Sequence, residues 1–128
     1  MTYKITGYAS TIHRDRHGNV VHPHALRVRN TCIPLLLAHD STARIGTVIT
    51  TCTTQLGLII KATIDRNASK IEGLRKLLHE GKCGLSIGII AKKFEHRENA
   101  RHIVDAELVE VSVVRNAANP YCSFAVTQ

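Results

Sequence analysis

Three short stretches of this chain carry side chains able to do chemistry. Pro34-Leu-Leu-Leu-Ala-His39-Asp40 sets a histidine at the end of an apolar run. Gly84-Leu-Ser86-Ile-Gly88 sets a serine between two glycines. Glu107-Leu-Val-Glu110-Val-Ser-Val-Val114 sets carboxylates inside a strand-forming segment. A serine hydroxyl is a poor nucleophile until a neutral imidazole accepts its proton. The imidazole in turn needs a carboxylate to fix its tautomer and stabilise its charged form. Together the three stretches supply nucleophile, base and orienter, the set that serine hydrolysis requires. Taken singly, each has a plainer account: a satisfied histidine, a tight-packing serine, a glutamate paired with a lysine across a sheet.

Strand alternation places Leu85, Ile87 and Ile89 on one face and Ser86 on the other. Gly84 and Gly88 leave the backbone beside Ser86 unshielded, as close approach of another chain requires. Glu107 and Glu110 are an odd number apart and face opposite ways in a regular strand, with Ser112 on the Glu110 face. Glu110 lies among Val109, Val111 and Val113, where an inward carboxylate needs a partner because burying it alone is costly. Asp105 sits on the Glu107 face at the polar end. Glu110 is therefore favoured over both as the third member.

The elements that must position these groups are mostly strands. Tyr3 to Ile12 alternates loosely and predicts a first strand, closed by a turn over Arg14 to Asn19; Val20 to Arg29 is ambiguous. Ile33 to Ala38 reads as a buried strand that delivers His39. Ile45 to Cys52 and Leu56 to Ile64, rich in Thr, Ile and Val, predict a hairpin turning near Gln55 to Gly57. From Asn67 as N-cap, Ile71, Leu74, Leu77 and Leu78 recur at helical spacing until Gly81, which predicts one helix. Strands resume over Cys83 to Lys93 and His102 to Arg115, with Glu95 to Arg101 as a polar hairpin end. The tail from Asn116 holds Asn119-Pro120 and a short apolar run to Val126. The sum is a mainly β single domain of about six to eight strands with a peripheral helix, a barrel or strongly curved sheet.

Composition bounds the rest. At 128 residues the chain is one domain's worth, and 44% hydrophobic with 21% charged residues makes it globular. Aromatics are only 4%, so Ile, Leu, Val and Ala must build the core. The longest apolar run, Ile33 to Ala38, is too short to cross a bilayer, and the start lacks the apolar core of a secretion signal. A cytoplasmic origin without a membrane partner is expected. Seventeen Lys and Arg against ten Asp and Glu leave a net charge of +7. These bases are scattered from Lys4 to Arg115 without aromatic interleaving. They read as a solvated surface, and nucleic-acid binding is not expected. Cys32, Cys52, Cys83 and Cys122 are read as reduced and mostly buried. His13, His17, His22 and His24 crowd a polar turn, but no zinc spacing fits, so no metal or cofactor is expected.

One ordered series spans nearly the whole chain. It comprises Gly7-Tyr8-Ala9-Ser10, Pro34 to Asp40, Ile45-Gly46, Gly57-Leu58, Gly84 to Gly88, Glu110-Val-Ser-Val-Val114 and Ala118-Asn119-Pro120. The series resembles the tailed-phage prohead maturation proteases, serine peptidases whose core is similar to that of the herpesvirus capsid assembly protease. The chain departs from the pattern at Ile89, where many members carry an aromatic, and at Arg115-Asn116-Ala117-Ala118, which lacks a proline often found there. The resemblance implies a prohead serine protease domain over 1–128, with Ser86 as nucleophile, His39 as base and Glu110 where a third member is expected. It further implies a curved β-barrel that works inside the assembling procapsid in the host cytoplasm. There it cuts scaffold or major capsid protein segments and itself, with room for a homodimer. Two other functions compete with an active endopeptidase. One is a non-catalytic scaffold-binding protein on the same fold, which retention of both His39 and Ser86 disfavours. The other is a small nucleic-acid-binding domain, which rests on charge alone.

Overall fold

Val111 and Val113 are fully buried, and the strand that carries them organises the molecule. In the computed structural model, which describes residues 3–29 and 32–127, this strand is β8 (Ala100–Arg115). The others, in chain order, are β1 (Tyr3–Thr11), β2 (Asn19–Val21), β3 (Leu26–Arg27), β4 (Ile33–Leu37), β5 (Asp40–Thr53), β6 (Gly57–Ile64), β7 (Cys83–Arg97) and β9 (Phe124–Thr127). Among the described residues one α-helix, α1 (Ile71–Glu80), precedes β7, and a single 3₁₀ turn lies at Pro23–Ala25.

Along one edge β8 pairs antiparallel with β7; along the other it takes β2, β3 and β4, all parallel. From β4 the sheet continues through β5, β6, β1 and β9, each pair antiparallel. The fold is mainly β in one domain, as the patterning predicts, but with nine strands in one sheet rather than six to eight. The extra strands are the very short β2 and β3, which lie in the segment whose pattern is ambiguous. The strand path runs from β2 to β9, and no pairing among the described residues joins its ends, so it is an open sheet and not a closed barrel. Bends in it need close backbone contact: a Cβ on Gly46 or Gly57 would lie 1.9 Å from a neighbouring strand's carbonyl oxygen. Only glycine fits there.

The core is aliphatic. Ile5, Leu35, Ile45, Leu58, Ile60, Leu85 and Leu108 are essentially fully buried. Helix α1 covers this core with Leu74 and Leu77, and its Gly73 lies against the Leu37 side chain at the end of β4. Arg115 on β8 pairs with Glu80 at the helix's far end.

Local expectations are revised in three places. The helix begins at Ile71, with Lys70 at the N-cap position and no side-chain cap, and not after Asn67. Two consecutive turns intervene, with Ala68 N–H on the Asp65 carbonyl and Ile71 N–H on the Ala68 carbonyl. Gly81 ends the helix as expected, in the left-handed region at φ 76°. The polar stretch 95–101 is a hairpin end as expected, but the strands reach further than Lys93 and His102: β7 and β8 run through it and turn only at Glu98-Asn99, both at positive φ. Two-residue turns of that kind match the twist of the strands they join. Finally, the four cysteines are free, but only Cys122 is buried; Cys32 and Cys52 are exposed.

Candidate active site

Three strands bring the reactive residues to one face. In the β7–β8 register, Ser86 lies opposite Ser112 and Gly88 opposite Glu110. Facing pairs share a side of the sheet, so Ser86, Glu110 and Ser112 point the same way. On the other edge of β8, Leu36 pairs with Ser112 and Leu37 with Val113. The chain then reverses in two residues, Ala38 and His39, before β5 starts at Asp40.

That turn is strained. Ala38 has φ 53° and His39 φ 58°, a conformation that favours glycine and costs other residues on the order of 1–3 kcal/mol each. It is held by β8: Ala38 N–H donates to the Val113 carbonyl at 2.9 Å, and His39 N–H donates to Ser112 Oγ at 3.0 Å. The imidazole is thereby hung over the Glu110–Ser86 diagonal. His39 Nδ1 lies 2.5 Å from Glu110 Oε1, and His39 Nε2 lies 3.0 Å from Ser86 Oγ. An ionised carboxylate can only accept, so Nδ1 carries the proton. In the neutral ring Nε2 is then the acceptor, and Ser86 O–H donates to it. Asp40, next in sequence to His39, is engaged elsewhere; the Thr42 hydroxyl and N–H hold its carboxyl below its usual pKa.

The structure thus brings Ser86, His39 and Glu110 into one hydrogen-bonded line. A Cβ on Gly88 would lie 2.3 Å from Glu110 Oε1. The glycine therefore makes room for the carboxylate itself, beyond the close chain approach read from the sequence. At Gly84 the close approach is the backbone of the tail, whose Cys122 carbonyl accepts Leu85 N–H at 2.8 Å.

Beside Ser86 and His39 opens a cleft of about 280 Å³. Both Ser86 and the opposite-face residues Leu85, Ile87 and Ile89 line it. One cavity reaches both faces of β7 because it follows the strand's edge, which has no strand partner among the described residues. The far wall is polar. Asn119 Nδ2 donates to Thr11 Oγ1 at 2.8 Å, Thr11 Oγ1 is 2.8 Å from His13 Nδ1, and His13 stacks on Tyr121 at 3.8 Å. Asn119, read from the sequence only as part of a motif, fastens the tail to the end of β1. Sequence reasoning passed over Thr11, weighed His13 only as one of a histidine cluster without zinc spacing, and weighed Ser112 only as a neighbour of Glu110. Cys122 is buried in the cleft wall, and burial pushes its thiol up to about 11.

Over residues 1–128 the chain matches the family described as Caudovirus prohead serine protease. It is 32% identical over 130 residues to the prohead protease of Escherichia phage T5, covering 94% of this chain and 61% of that protein. Among solved structures it is similar to the KSHV protease in complex with a hexapeptide phosphonate inhibitor. That superposition has a TM-score of 0.66 at 11% identity, over 100% of this chain and 66% of the other. A varicella-zoster virus protease aligns with a TM-score of 0.49 at 12% identity, over 88% of this chain and 64% of that one. The chain therefore spans just under two thirds of the length of these relatives. With the family match running its whole length, the chain belongs to the caudovirus prohead serine proteases.

Proposed function

We propose that this member of the prohead serine protease family is a serine endopeptidase of phage procapsid maturation, its protease domain formed by residues 1–128. The observation that carries the reading is the line Ser86 Oγ–His39 Nε2 at 3.0 Å and His39 Nδ1–Glu110 Oε1 at 2.5 Å. In this reading Ser86 Oγ attacks a peptide carbonyl while Nε2 takes its proton. Glu110 stabilises the imidazolium that results, and His39 then protonates the leaving amine. Water, deprotonated by the same Nε2, hydrolyses the acyl-enzyme on Ser86 and regenerates the hydroxyl. No metal or cofactor enters the cycle.

The cleft suits an extended peptide. Beyond Leu85, whose N–H the tail already holds, a strand laid along the outer edge of β7 would pair with its backbone and present a carbonyl to Ser86. Substrates are scaffold or major capsid protein segments of the same procapsid, inside which the enzyme works, and the chain itself. The net charge of +7 favours acidic scaffold segments.

Co-expression with the neighbouring capsid and scaffold proteins tests the reading. The wild type is expected to cut at least one of them and to label with a fluorophosphonate probe; Ser86→Ala is expected to fold and do neither. Cleavage by Ser86→Ala at a comparable rate would overturn it. A folded wild type that neither cuts nor labels would make this the scaffold-binding protein instead.

A further inference from the structure

Ser112 is completely buried, yet its hydroxyl is committed on both sides to the candidate site. Its Oγ accepts His39 N–H at 3.0 Å and lies 2.8 Å from Glu110 Oε2. The hydrogen positions follow from chemistry. The amide can only donate, so the single hydroxyl proton must go to the carboxylate. Each Glu110 oxygen then has its own donor: Oε1 takes His39 Nδ1–H and Oε2 takes Ser112 O–H. The bonds close a ring that runs from the His39 main chain through Ser112 and Glu110 back to the His39 side chain. The same hydroxyl caps the backbone of a turn that sits in the left-handed region.

Resting on the protease reading above, we propose that Ser112 is a positioning residue for the hydrolysis. It fixes the rotation of the Glu110 carboxylate and the place of the His39 backbone together, and so keeps Nε2 aimed at Ser86. It does not touch substrate. The hydroxyl and the space it fills are separable by substitution. Valine and threonine have nearly the same shape, both suit a strand, and only threonine retains the donor and acceptor.

The test measures fluorophosphonate labelling of Ser86, resolved into the maximal rate and the half-saturating probe concentration. Ser112→Val is expected to lower the maximal rate by about tenfold to a hundredfold, with the half-saturating concentration changed less than about twofold. Ser112→Thr is expected to keep most of the rate. In a Glu110→Gln background the valine change should add little, because both act through one network. Equal losses for Val and Thr, or a valine loss that multiplies in full with Glu110→Gln, would overturn the proposal. Should the larger residues prevent folding, Ser112→Ala takes their place, read by the NMR signal of the His39 Nδ1–H proton. Loss or broadening of that signal supports the proposal, and a sharp, unshifted signal overturns it. Measured in Ser86→Ala protein, this signal reports on Ser112 even if Ser86 were not the nucleophile, so the two readings fail separately.

Discussion

Gly88→Ala tests the geometry of the site through space alone. The added Cβ would lie 2.3 Å from Glu110 Oε1, 2.6 Å from Cγ and 2.7 Å from Cδ. Ordinary contact begins at 3.4 Å, so the carboxylate must retreat by roughly 1 Å. What gives way is the end of a flexible side chain and not backbone, so the fold should stand. A displacement of that size is large against the 2.5 Å bond from Glu110 to His39, whose geometry tolerates shifts of only a few tenths of an ångström. Misplacement on this scale costs a reaction about a hundredfold, or about 2.7 kcal/mol. The assay compares fluorophosphonate labelling of wild-type and Gly88→Ala protein, with thermal unfolding alongside. Labelling should fall by about that factor while the unfolding midpoint moves little. Adding Glu110→Gln should cost Gly88→Ala protein little more, because the carboxylate is already displaced. A folded Gly88→Ala enzyme that labels at the wild-type rate would refute the account of Gly88 and, with it, the dependence on Glu110.

Glu110→Gln keeps the shape and loses the charge, so cleavage should fall by roughly 10²- to 10⁴-fold; Glu107→Gln, outside the hydrogen-bonded line, should leave it nearly unchanged. His39→Ala should be nearly as damaging as Ser86→Ala, since the members act as a unit. A His39→Ala variant that cleaves at a rate comparable to wild type would reject the base assignment. The Cys122 thiol, raised from 9.0 to about 11 by burial, stabilises the fold fully below pH 9. That stability should be lost as pH rises from 9 through 11, because only the unfolded chain ionises freely there. A denaturation midpoint that stays constant over this window, or that moves equally in Cys122→Ala, would contradict it. In the native state iodoacetamide should modify Cys32 and Cys52, both exposed, and spare Cys122.

Much of this molecule follows from local pattern. The alternation around Ser86 is visible because every second residue of 85–89 is a large aliphatic, and Glu110 stands out against the valines that flank it. What joins these pieces is not local. The meeting of His39 with Ser86 and Glu110 depends on β4 pairing parallel with β8, residues 35–37 against 111–113, and no periodicity encodes which strands become neighbours. Ser112 shows the same limit: a buried serine on a strand reads as filler until the turn above it is known to need a hydrogen-bond acceptor. Asn67 has the composition of a cap, but it lies in a turn closed by the Asp65 carboxylate, and a second turn from Ala68 to Ile71 follows before the helix begins. At the outer end of the β7–β8 hairpin the pattern marks a hairpin end but not how far the strands reach, because the end of β7 is exposed and the hydrophobic alternation fades while the ladder continues.

The parallel seam between β4 and β8 also sets when the Ser86–His39–Glu110 line can first exist. His39 and Ser86 leave the ribosome ahead of β8, but the strand that holds the histidine turn and carries Glu110 is made after both. Until residues 100–115 emerge and β4 closes against them, the imidazole has neither its carboxylate nor the backbone contacts that hold its strained turn. Pairings between segments this distant in sequence form slowly, because loop closure must precede the contacts that reward it. A nascent or partly folded chain therefore carries a serine and a histidine but no working protease. The topology is a built-in delay: the site cannot assemble before the strand that closes it has been made.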